Sequence, residues 1–143
     1  MARIEFHILS PSGDDAKLRH TCQVVEQLYQ QQKPVFVYVE SDATAQKLDE
    51  VLWSFRDQAF IPHEVCTTHS PTHSRISVLI GTGNAPTAYK AILINLTDTA
   101  PPQLENTAQI IEIVDASPTH KQLARERYKQ YRDQGHQLET INH

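Results

Sequence analysis

The sequence predicts a three-layer α/β domain with a mainly parallel sheet flanked by helices. Short apolar runs alternate with helix-length stretches whose apolar residues recur every three or four positions. One run, Val35-Phe36-Val37-Tyr38-Val39, is almost continuously apolar, as a strand buried on both faces should be. The length of 143 residues suits one domain around one core, so residues 1–143 are read as a single α/β domain.

Arg3 to Leu9 predicts the first strand, and Ser10-Pro11-Ser12-Gly13-Asp14 a turn. A helix follows from Asp15 to Gln32, with Leu18, Cys22, Val25, Leu28 and Tyr29 along one stripe. Pro34 ends it before the Val35–Val39 strand. Asp42 is placed to cap a second helix reaching Trp53, with Ala45, Leu48 and Leu52 as its stripe and Val51 beside them. Phe55 to His63 reads as a short connection and Thr67 to Ser74 as polar loop. Strands are expected at Arg75–Ile80, Ala91–Leu96 and Ile110–Val114, the last after a turn at Ala100-Pro101-Pro102 and a short helix. The closing helix has the sharpest boundaries. Ser117 can cap it, Pro118 takes the first helical position, and Gly135 falls where a C-terminal glycine belongs.

No stretch approaches the roughly 18 apolar residues of a membrane span. The N-terminal run carries Glu5 and His7 and reads as a strand rather than a signal peptide. Cys22 and Cys66, far apart, make no disulfide framework, so a cytoplasmic protein is expected.

Several motifs invite chemistry that the residues do not sustain. Gly81-Thr82-Gly83 follows a strand, but Pro86 stands where a dinucleotide-binding fingerprint needs its third glycine, and the motif lies mid-chain. A nucleotide-using enzyme would need such a phosphate loop. His63, Cys66, His69 and His73 are spaced like metal ligands, yet the segment has no second Cys pair and reads as a polar loop rich in His. Asp49 and Glu50 are adjacent, so on a helix they diverge by about 100° and cannot share a substrate. Cys22 lies on an apolar stripe, as a small core residue would. No catalytic residue, metal or cofactor is expected.

Charge is unevenly spread. The chain carries −4, but Pro118–Arg132 holds five basic residues against Glu126 alone, a local +4 on a body of −8. At about 100° per residue, with Lys121 at zero, Arg132 projects near 20°, Arg125 near 40°, Lys129 near 80° and Tyr128 near 340°. Arg127 projects toward the apolar side. Four like charges on one face repel one another, so a solvated face or an anion-binding site must compensate. Arg offers a planar fork to a carboxylate, Lys a point charge and Tyr an apolar wall. These residues suit an acidic peptide ending in an aromatic residue. They also suit single-stranded nucleic acid, where an aromatic stacks a base, so a direct nucleic-acid-binding module is the alternative. A second cluster, Trp53, Phe55, Phe60, Ile61 and Pro62, reads either as core or as a partner-binding patch.

The run Lys121-Gln122-Leu123-Ala124-Arg125-Glu126-Arg127-Tyr128-Lys129, with Tyr131-Arg132 and Gly135, resembles a C-terminal signature of the chi subunit family of bacterial DNA polymerase III. Leu48-Asp49-Glu50-Val51-Leu52-Trp53, then Phe60-Ile61-Pro62-His63, resembles that family's other signature. The resemblance implies a Rossmann-like domain without catalysis, cofactor or metal, acting as an accessory subunit of the clamp loader in DNA replication. It implies pairing with the psi subunit, which tethers it to the loader, through Trp53, Phe60 and Pro62. It implies binding of the acidic C-terminal tail of single-stranded DNA-binding protein through Lys121, Arg125, Tyr128, Lys129 and Arg132, with Val114 and Thr140. In that carry-over Arg125 holds the terminal carboxylate. Association with a helicase-like repair protein is a further implication.

Overall fold

The computed structural model describes residues 2–10, 12–54, 63–66, 78–82, 91–101 and 107–143. The elements run β1 (Arg3–Ile8), α1 (Asp14–Gln30), β2 (Val35–Tyr38), α2 (Asp42–Ser54), β3 (His63–Cys66), β4 (Val78–Gly81), β5 (Ile92–Asn95), β6 (Gln109–Val114), α3 (Pro118–Asp133) and β7 (Gln137–Asn142). Seven strands form one sheet in the order β3-β4-β2-β5-β6-β1-β7, and every neighbouring pair is parallel.

Alternation along the strands assigns residues to two faces. Val35, Val37, Ile80, Ile94, Ile111 and Ile113 meet Leu18, Cys22, Val25 and Leu28 of α1 and Ala45, Leu48 and Leu52 of α2. Ile4, Phe6, Phe36, Leu79, Leu93, Ile110 and Val114 meet Ala124 and Tyr131 of α3 on the other face. The result is three layers, helix–sheet–helix, as the sequence predicts. Cys22 is fully buried, and burial pushes its thiol up to about 12, which suits a core residue and not a nucleophile.

The structure departs from the sequence reading at both sheet edges. β3 begins at the last residue of what reads as a connection and fills the gap before the polar loop, and β7 follows the closing helix. Each pairs on one side only, so neither needs the apolar run that announces a central strand. β7 is mostly exposed. The cap of α2 is Ser41, whose Oγ accepts the Thr44 N–H at 3.3 Å, and not Asp42, which is already helical. Ser117 does hold the N-cap position of α3, but its side chain makes no capping bond. Its backbone N–H instead donates to Asp115 Oδ1 at 3.2 Å. Gly135, at φ 87°, turns the chain from α3 into β7, and the His136 N–H donates to the Tyr131 carbonyl at 3.2 Å, closing the helix as expected. The glycine-containing segment beyond Thr82, the His-rich loop at residues 67–74 and the short helix expected before β6 lie outside the described residues.

Candidate functional site: the groove beside the closing helix

The closing helix is fixed to the sheet by polar groups as well as by packing. Glu112, fully buried on β6, accepts Arg127 Nη2 at 3.2 Å, Tyr131 Oη–H at 2.5 Å and Asn95 Nδ2 at 3.0 Å. Arg127 Nη1 donates to the Asp98 carbonyl at 2.8 Å. Burial pushes the Glu112 carboxyl above its ordinary range, while Arg127, Tyr131 and Asn95 pull it back. Burial and the adjacent Glu112 charge push the Tyr131 phenol up, so it stays a donor. Arg127 is therefore structural, as its helical projection indicates.

Asp115 secures the entrance to the helix. Its carboxylate accepts the Gly13 N–H at 2.9 Å, the Ser117 N–H and His120 Nδ1–H at 2.7 Å. Burial alone would raise its pKa, but these bonds outweigh burial and hold it below the ordinary carboxylate range.

With Arg127 and Tyr131 committed inward, the opposite edge of α3 overhangs β1 and β7 and leaves a groove of about 620 Å³. Lys121, Arg125, Tyr128, Lys129 and Arg132 line one wall from α3, and Thr140 and Asn142 line the other from β7. Phe6 and Ile8 of β1 also line it, and the Phe6 ring lies 5.5 Å from Tyr128 at a tilt of 51°. The groove thus has an apolar stretch at Phe6, Ile8 and Tyr128 and a cationic rim. Among the described residues, Lys121, Arg125 and Lys129 have no carboxylate within ion-pair distance, and Arg132 reaches only the exposed Asp133, at 3.8 Å. Such a rim can receive carboxylates, and such an apolar stretch an apolar side chain.

Six of the residues carried over for this site therefore come together: Lys121, Arg125, Tyr128, Lys129, Arg132 and Thr140. Val114 does not line the groove. It is buried on β6 beneath α3, because β6 is an interior strand. The sequence reading missed Phe6, Ile8, Gln122, Glu126 and Asn142. The alternation of Phe6 and Ile8 in β1 was the available signal, but only the β1–β7 pairing puts them beside the cations.

Trp53 lies in the last turn of α2, in the helix layer on the other side of the sheet from α3, and is the exposed large hydrophobic among the described residues, at 55%. Phe60 and Pro62 lie outside the described residues.

The chain matches the family profile described as DNA polymerase III chi subunit, HolC, over residues 1–139. It is 32% identical to DNA polymerase III subunit chi of Pseudomonas aeruginosa over 139 residues, covering 97% of this chain and 95% of that one. It is 34% identical to the Haemophilus influenzae protein of the same name over 140 residues, covering 96% and 95%. Among solved structures, the C-terminal domain of the DEAD-box protein Dbp5 superposes with a TM-score of 0.63 at 14% identity, covering 97% of this chain and 90% of that one. That likeness concerns the α/β fold alone.

Proposed function

The chain belongs to the DNA polymerase III chi subunit family, and we propose that it is a non-catalytic accessory subunit whose α3 groove binds the acidic C-terminal tail of single-stranded DNA-binding protein. One observation carries this reading: unpaired cations rim a groove with an apolar interior. Upstream acidic groups of the tail meet Lys121 and Lys129, its terminal carboxylate meets Arg125, and its last aromatic ring rests near Tyr128, Phe6 and Ile8. Thr140 offers a hydroxyl from the opposite wall.

Trp53, on the opposite helix layer, pairs with the psi subunit together with Phe60 and Pro62 of the following segment, and psi joins the chain to the clamp loader. The exposure of Trp53 supports a partner there. Trp53 and the groove sit on different helix layers, so both partners bind at once and the protein acts as an adaptor during DNA replication.

Titration calorimetry with an acidic peptide ending in Pro-Phe tests the groove. A hydrogen bond to a charged group contributes about 1.5–3 kcal/mol, so Arg125→Ala should weaken binding roughly ten-fold or more. Unchanged affinity would remove Arg125 from the role assigned to it.

A further inference from the structure

We infer that His7, His20 and His143 form a binding site for a divalent transition-metal ion of the zinc class, on the sheet face opposite the groove. The three residues come from β1, from α1 and from just beyond β7, and one ring nitrogen from each lies within 4.8 Å of the other two. His7 Nδ1 and His20 Nε2 are 2.8 Å apart. The His143 ring lies with its centroid 4.4 Å from that of His20 and 5.1 Å from that of His7. Nitrogens on one tetrahedral zinc stand about 3.4 Å apart, given bonds of about 2.0–2.1 Å. Small rotations of these rings therefore suffice to surround an ion.

The surroundings supply what a metal-bound imidazole ordinarily has. His7 Nε2, the nitrogen turned away from His20, lies 3.4 Å from Glu5 Oε1. A carboxylate on the distal nitrogen fixes the tautomer and orients the lone pair toward the ion. Glu5 is itself held, since Gln109 Nε2 donates to its Oε2 and Arg3 Nε lies 3.8 Å away. The third ligand is anchored through its backbone: the His143 N–H donates to the Ile8 carbonyl at 2.9 Å, and Ser10 Oγ–H donates to the His143 carbonyl.

A hydrogen-bonded histidine pair accounts for His7 and His20 alone. It leaves the convergence of the His143 nitrogen and the placement of Glu5 without a role. An all-imidazole donor set selects zinc, copper or nickel over the oxygen-seeking magnesium and calcium. His143 is exposed, so a fourth position stays open to solvent. The ion would tie the end of β7 to β1 and α1. Because Thr140 and Asn142 sit on the other face of β7, it would also stiffen one wall of the groove.

The test is calorimetric titration of the full chain with zinc chloride in chelator-stripped buffer. The expected result is uptake of one equivalent, weakened about 10–100-fold in Glu5→Gln and at least as much in His20→Ala and His143→Ala. His143 is exposed, so H143A should fold with an unchanged melting temperature. A Cys66→Ser/His69→Ala variant, altered in the other His/Cys cluster, should bind as the parent does. Absence of uptake at millimolar zinc, or uptake that persists in H20A and H143A, overturns the proposal. Uptake abolished only by the Cys66/His69 variant overturns it too and moves the metal to that loop.

Discussion

Arg127→Ala should be among the most damaging single changes outside the apolar core. It removes the 3.2 Å ion pair to Glu112 and the 2.8 Å bond to the Asp98 carbonyl. Glu112 is fully buried, and removing one partner of a buried ion pair costs about 3–5 kcal/mol. Asn95 and Tyr131 still donate to the carboxylate, so the lower end, about 3 kcal/mol, is expected. In a chain of this size that lowers the melting temperature by roughly 10 °C. The deficit also depends on pH. Without Arg127 the folded-state pKa of Glu112 rises further above its unfolded value. The native state then holds a proton that the unfolded chain releases, so its stability falls as pH rises between those two values. The deficit measured by urea denaturation should be larger at pH 8 than at pH 5. A loss under about 1 kcal/mol, or a deficit that grows on acidification, would mean that Arg127 does not hold the buried Glu112 charge.

Asp115→Asn should destabilise the chain at neutral pH. The folded-state pKa of Asp115 is depressed, so its contribution is present above the unfolded pKa and fades as pH falls through the folded one. Parent and variant should therefore converge in acid, as read by urea midpoints. Trp53→Ala should weaken capture of the psi subunit by about 2 kcal/mol or more, roughly 30-fold, if Trp53 is a central anchor. Undiminished capture would remove Trp53 from the surface proposed for psi.

Much of the architecture was legible because it rests on local pattern. The Val35–Val39 run and the stripes of α1 and α2 mark elements buried by their own apolar residues. The cationic face of α3 was equally legible, since helical spacing alone groups Lys121, Arg125, Lys129 and Arg132. What stayed hidden is long-range. β7 is polar and exposed, so nothing local distinguishes it from a loop, yet it forms a wall of the groove. Phe6 and Ile8 reach the groove only because β1 lies beside β7. The grouping of His7, His20 and His143 was hidden for the same reason: the three come from distant parts of the chain, and spacing singled out only His63, Cys66, His69 and His73. The partners of Glu112 likewise come from β5 and α3, and no spacing rule announces them.

Residue-resolved NMR titration of the labelled chain with the Pro-Phe-ending peptide reads out whether the α3 groove receives an acidic tail. The expected shifts concentrate on Lys121, Arg125, Tyr128, Lys129 and Arg132, on Thr140 and Asn142, and on Phe6 and Ile8, with α2 undisturbed. Shifts centred on Trp53, or an unperturbed α3 at saturating peptide, would contradict a tail in that groove.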